Sequence, residues 1–176
     1  MSDEELVAWI DENEKFIEAI PLSVANSDPK FLHQEIAILV YDQNRRVLLQ
    51  QRSDNKKNSP GVWTVTAAGH VTYGDTLETS VNKELLEEMG ITVPKLSYLF
   101  REYVVLARES HYCHWFIGQY AGGQIVIDPT EVKDYKWIAE AEFANFNSKE
   151  MVSERTSKMI HLFWENKLQN YKFHEN

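Results

Sequence analysis

Three glutamates, Glu84, Glu87 and Glu88, fall within five residues of "GHVTYGDTLETSVNKELLEEMGI", positions 69–91. On a helix they stand at i, i+3 and i+4, where like charges repel by roughly 0.2–0.5 kcal/mol per pair. Such a cluster is either left in water or given a cation. A solvated acidic face is the commoner origin of a glutamate triplet, but position favours the cation here. At about 100° per residue, Leu77, Val81, Leu85 and Met89 form one apolar stripe, and the glutamates border it instead of lying opposite. Oxygen ligands grouped this way suit Mg²⁺ or Mn²⁺, hard ions that bridge carboxylates and substrate phosphates.

The elements that must hold these groups can be read from the pattern around them. A helix is expected from about Thr76 to Met89, with Asp75 and Glu78 as a capping box and Gly90 as its stop. Ahead of it, "VWTVTAAGHV" reads as one strand ending near Gly69. "HQEIAILVYDQNRRVLLQQRS" reads as a hairpin turning at Asp42–Arg45, followed by the polar loop "DNKKNSPG". "LVAWIDENEKFIEAI" is a second hairpin, and "PLSVANSDPKF" a short helical turn with Pro21 at its first position. Later strands are expected in "LSYLFREYVVLA", "HYCHWFIGQYA", "EVKDYKWI" and, more briefly, "GGQIVID". Helices are expected in "AEAEFANF" and "KEMVSERTSKMIHLFWENKL".

Composition narrows the function. The chain has 176 residues and a net charge of −9, which argues against a nucleic-acid polymer as partner. The longest apolar run, "IAILVY", is far short of the ~18 residues that span a bilayer. The acidic start "MSDEELVAW" lacks the pattern of a signal peptide, so the cytoplasm is the default location. Cys113 is the only cysteine, which excludes an intrachain disulfide; a buried, inert thiol is its better reading. A small polyanion bound through metal ions is compatible with the charge, and a homodimer is left open.

The spacing of residues 69–91 resembles the Nudix hydrolase signature: Gly, five residues, Glu, seven residues, Arg-Glu-aliphatic, one residue, Glu-Glu, one residue, Gly-aliphatic. Gly69, Glu84, Leu85, Glu87, Glu88, Gly90 and Ile91 match in register, while Asp75 replaces the first Glu and Lys83 the Arg. Both departures keep their charge sign at positions that in the family brace the loop and helix. The resemblance implies an α+β fold, an α/β/α sandwich around a mixed sheet, here with an added N-terminal hairpin. One domain would cover 1–176, with the extension in 1–30, the core in 33–140 and C-terminal helices in 141–176. It also implies divalent metal on the carboxylates of Glu84, Glu87 and Glu88 and the Gly69 carbonyl. The implied activity is hydrolysis of a pyrophosphate bond in a nucleoside diphosphate-linked substrate.

From about His33 to Trp137 the chain looks like the isopentenyl diphosphate isomerase branch of that family. Those isomerases need an acid-base cysteine where this chain has Ala68, which has no proton to transfer. Their metal site uses histidines and acids; His33, His70 and Glu109 fall at matching places, and His111 replaces a further carboxylate. These four form a candidate second metal or phosphate site, although partly buried strand histidines are the commoner explanation. Arg52, Lys56 and Lys57 are candidates for phosphate contact, against the alternative of solvated loop charge. Tyr73, Tyr112 and Trp115 could stack on a base, although strand aromatics are more often core. Glu131 is the first candidate for the base, because "EVKDYKW" resembles the family's late Glu followed by a strand Trp, and Glu109 is the second. The leading expectation is a metal-dependent pyrophosphohydrolase; the alternatives are isomerase-like activity and a non-catalytic ligand sensor.

Overall fold

Alternation of apolar residues along the central strands decides how the layers stack. The computed structural model describes residues 4–168. Its elements are β1 (Leu6–Ile10), β2 (Phe16–Pro21), α1 (Leu22–Ala25), β3 (His33–Tyr41), β4 (Val47–Arg52), β5 (Trp63–Thr64) and β6 (Ala67–His70). They continue with α2 (Leu77–Met89), β7 (Leu96–Val105), β8 (Ser110–Gln119), β9 (Val132–Ile138), α3 (Glu140–Lys149) and α4 (Glu154–Trp164). Strands β3 to β9 form one sheet in the order β5-β4-β3-β8-β7, with β6 added to β3 and β9 to β4. The pairing of β3 with β8 is parallel and the others are antiparallel, so the sheet is mixed.

Odd-numbered β3 residues Ala37 and Leu39 pack with Val47, Leu49 and Trp115 under α3 and α4, against Phe143, Met159, Ile160 and Phe163. Even-numbered Ile36, Ile38 and Val40 pack with Leu48 and Phe116 under α2, against Val81, Leu85 and Met89. A two-residue period thus feeds a helix layer on each face, and the expected α+β sandwich results. Each of the buried α2 side chains contributes roughly 1.5–3 kcal/mol. This anchors the helix whose polar border carries the glutamates.

Several expected boundaries moved, each for a local reason. The cap of α2 is Thr76, whose Oγ1 accepts from the Thr79 amide at 3.1 Å, and not Asp75 with Glu78. Gly90 does stop the helix, at φ +65°, where a Cβ would meet the Val126 carbonyl at 2.6 Å. "VWTVTAAGHV" forms two strands: Thr66 turns inward, its Oγ1 donating to the Leu48 carbonyl at 2.6 Å and accepting from the Val40 amide at 2.8 Å. "GGQIVID" is not a strand. It crosses the end of α2, where the Val126 and Asp128 amides donate to the Met89 and Glu88 carbonyls that the helix leaves unpaired.

Pro21 caps α1 instead of opening it. The last helix starts only after the Ser153 cap, whose hydroxyl accepts from the Thr156 amide at 3.2 Å. Of the C-terminal helices expected over 141–176, positions 169–176 lie outside the described residues, as do 1–3 of the N-terminal extension. The β1–β2 hairpin forms as expected and is docked on the sheet. Glu14 pairs with Arg101 and accepts from Gln34 Nε2 at 2.8 Å, and the Tyr73 amide donates to the Leu6 carbonyl at 2.7 Å. No helix among the described residues is long and apolar enough to cross a membrane.

Candidate active site

A cleft of about 840 Å³ opens where β6 passes into α2, and Gly69, Glu84, Glu87 and Glu88 all line it. Glu88 is 5% exposed, at the buried edge of the helix. Its Oε2 accepts from Gln50 Nε2 at 2.8 Å and from the Ala68 amide at 3.1 Å. Neither donor carries a charge. Burial, followed by the neighbouring Glu84 carboxylate, pushes its pKa up to about 8. Glu84 is pushed up to about 7, by burial first and then by Glu87 and Glu5. Ionised carboxylates packed this way want positive charge.

Gly69 faces Glu84 directly, and a Cβ there would collide with its carboxylate. The Glu84 carboxylate thus fills the place that a side chain at 69 would take, and the glycine lets it rest against β6. Hard carboxylate oxygens lining one cleft fit Mg²⁺ or Mn²⁺, and Glu84, Glu87 and Glu88 would hold the ion. Of the two box departures, Lys83 is linked through Thr72 to the N-terminal extension. Lys83 Nζ reaches Thr72 Oγ1 at 3.5 Å, and that hydroxyl donates to Glu5 of the N-terminal extension at 2.9 Å.

The opposite wall carries Glu131, Lys56 and Arg52. Glu131 and Lys56 form an ion pair with each other, and Arg52 Nε donates to the Asn58 carbonyl at 3.1 Å. Lys57 does not line this cleft; it faces the adjoining cavity. The aromatic candidates lie elsewhere. Tyr73 is outside the cleft with its ring stacked on Phe16 at 5.4 Å, and Tyr112 and Trp115 are buried. Alternation explains the last two: Trp115 falls on the α4 face and Tyr112 under the N-terminal hairpin. Cys113 is buried, and burial pushes its thiol up to about 12, which leaves it protonated.

The histidines converge by strand register. His33 is opposite His111 on β8, and Glu35, two residues along the same face of β3, is opposite His70 on β6. Glu35 lies 3.2 Å from His70 Nε2 and 3.0 Å from His111 Nε2. His33, Glu35 and His111 each offer a ligand atom within 4.8 Å of the others. His33 Nδ1 donates to the Phe31 carbonyl at 3.0 Å, which leaves the Nε2 lone pair buried and without a partner. Burial lowers His33 and takes His111 down to about 4, so both are neutral near pH 7. Burial would raise Glu35, but the imidazoles, His70 foremost, bring it to about 2. Two neutral imidazoles and a carboxylate fit a transition ion better than Mg²⁺. Glu109 lines the same cleft, with its pKa raised by burial and then by Glu35.

Glu35 and Glu5 escaped the sequence reading. Glu35 had one usable signal, its place two residues after His33 on a strand. Glu5 had none, because its approach depends on how the extension docks.

A sandwich with a glycine loop, a carboxylate-bearing helix and a metal-ready cleft is the Nudix arrangement, and the comparisons agree. The NUDIX domain family model matches residues 31–163. The chain belongs to the Nudix family. It is 32% identical over 151 residues to an isopentenyl-diphosphate Delta-isomerase of Mycolicibacterium vanbaalenii, covering 79% of this chain and 83% of that one. It is 37% identical over 111 residues to isopentenyl-diphosphate Delta-isomerase 2 of Photorhabdus laumondii, covering 61% of this chain and 62% of that one. Among solved structures, DR0079 of Deinococcus radiodurans superposes with a TM-score of 0.74 over 91% of this chain and 99% of that one. At 14% identity this speaks to the fold alone.

Proposed function

We propose that this protein is a divalent-metal-dependent hydrolase of a pyrophosphate bond in a small, nucleotide-like substrate. The observation that carries the reading is Glu88, buried beside Glu84 with only uncharged donors to its carboxylate. That arrangement is costly unless a cation completes it. When bound, Mg²⁺ or Mn²⁺ would neutralise phosphate charge and lower the pKa of a water. The remaining roles fall to the chain. Gly69 gives the Glu84 carboxylate its place, Gln50 and the Ala68 amide orient Glu88, and Arg52 and Lys56 face the phosphates. A phosphate that draws Lys56 away frees the Glu131 carboxylate to accept a proton from the attacking water, and Glu109 is the alternative base.

The second reading is isomerase-like proton transfer, favoured by the names of the relatives and by the His33–Glu35–His111 group beside the cleft. Ala68 opposes it. Its methyl group stands where the acid-base thiol would be, and its amide is committed to Glu88. One assay separates the two. With Mg²⁺ or Mn²⁺, the protein should release phosphate or a nucleoside monophosphate from at least one member of a panel of nucleoside diphosphates, dinucleotides, nucleotide sugars, coenzyme A and prenyl diphosphates. It should not interconvert isopentenyl and dimethylallyl diphosphates. Isomer formation above a buffer blank would reverse the choice, and no release from any member would remove the hydrolase reading.

A further inference from the structure

Beyond the carboxylates the cleft continues into a second cavity of about 820 Å³. The two share Glu5, Leu22, Asn58, Ser59, Leu106 and Glu109 in their walls, so a ligand can extend from one into the other. The extension and α1 build one wall; the loop after β4 and the turn between β7 and β8 build the other. Cations in this acidic chain are mostly engaged: Arg46 with Asp42, Lys56 with Glu131, Arg101 with Glu14, Lys133 with Asp54 and Arg155 with Glu102. Lys57 and Arg108, from the two loops that build this second wall, have no ion pair or hydrogen bond among the described residues. Asn26 also lines it, and its Oδ1 is buried without a hydrogen-bond partner.

We propose that this outer cavity is a subsite for the distal half of the substrate, a hydroxylated group with its own phosphate, such as a phosphorylated ribose. The proposal rests on reading the carboxylate cleft as the diphosphate site. Lys57 and Arg108 supply the charge a distal phosphate needs, and charge-assisted contacts to an anion are the strong ones. A hydroxyl donated to Asn26 Oδ1 satisfies a buried acceptor that is otherwise costly to leave unpaired. Leu22 and Leu106 cover the carbon skeleton between the two phosphate groups. Glu4, Glu5 and Glu109 also reach the wall, so they accept from hydroxyls and confine the anion to the two cations.

The test is calorimetric binding with Mg²⁺ present, which needs no turnover. The probes are inorganic diphosphate and 5-phosphoribosyl 1-diphosphate, which adds the hydroxyls and the distal phosphate. Wild type should bind the second at least about tenfold tighter than the first, the yield of one or two charged hydrogen bonds. In the double variant Lys57→Gln, Arg108→Gln that ratio should fall to about threefold or less, with an unchanged melting temperature because both side chains are exposed. A wild-type ratio near one, or an unchanged ratio in the variant, overturns the subsite. Failure of inorganic diphosphate to bind wild type would instead overturn the diphosphate cleft, and the subsite with it.

Discussion

Replacing Glu87 or Glu88 by Gln should cut turnover of the best substrate about a thousandfold, the rate equivalent of roughly 4 kcal/mol of transition-state stabilisation. The substitution is nearly isosteric. A Gln at position 88 keeps a carbonyl oxygen able to accept from Gln50 Nε2 and the Ala68 amide, so the helix seat is preserved. What it loses is the negative charge that a divalent ion needs. The loss should therefore appear in kcat with the far-ultraviolet spectrum unchanged. Wild-type rates in both variants would place the chemistry elsewhere in the cleft.

Gly69→Ala should cost about a hundredfold in kcat/KM, the scale on which a misplacement of about 1 Å acts. The physical cause is steric. The new methyl collides with the Glu84 carboxylate, which must swing away from the position it shares with Glu87 and Glu88. The backbone of β6 is paired with β3 at this point, Gly69 opposite Ile36, so the strand cannot move aside instead. Gly74→Ala is the informative control. That glycine has φ +94° but open space around it, so its substitution strains the turn without touching a carboxylate. Equal losses in the two variants would show that loop strain, and not the placement of the Glu84 carboxylate, is what matters.

How far the sequence reached depended on whether a feature was local. The glutamate spacing and the Gly90 stop lie on one helix, so periodicity exposed them, and the sandwich followed from the family pattern. The His–Glu group needs the register of three strands at once. Three of its members stood out as histidines, but Glu35 joins them only because β3 is flanked by β6 and β8. Tyr112 and Trp115 take the commoner place of strand aromatics, in the core, and composition alone could not choose between that and base stacking because it does not say which face of β8 a residue takes. The cap fell to Thr76 because its hydroxyl reaches the Thr79 amide. The "GGQIVID" segment pairs with helix-end carbonyls, a use of extended chain that no strand propensity reveals.

The most direct measurement is a melting curve at pH 8, with and without Mg²⁺, for wild type and Glu88→Gln. Without metal, the native protein holds protons on Glu84 and Glu88, with pKa values of about 7 and about 8, that an unfolded chain releases near pH 4.3. The native state therefore binds more protons across that window. The contribution of these two carboxyls to metal-free stability falls as pH rises from about 4.3 through about 8. Glu88→Gln removes part of that cost and should melt above wild type at pH 8. Mg²⁺ at about 100 times its dissociation constant should add roughly 2.7 kcal/mol to wild type by mass action, a rise of roughly 5–10 °C for a domain of this size. The variant should gain far less. Equal shifts in the two proteins, matching those of an inert salt at the same ionic strength, would contradict a metal site on Glu84, Glu87 and Glu88.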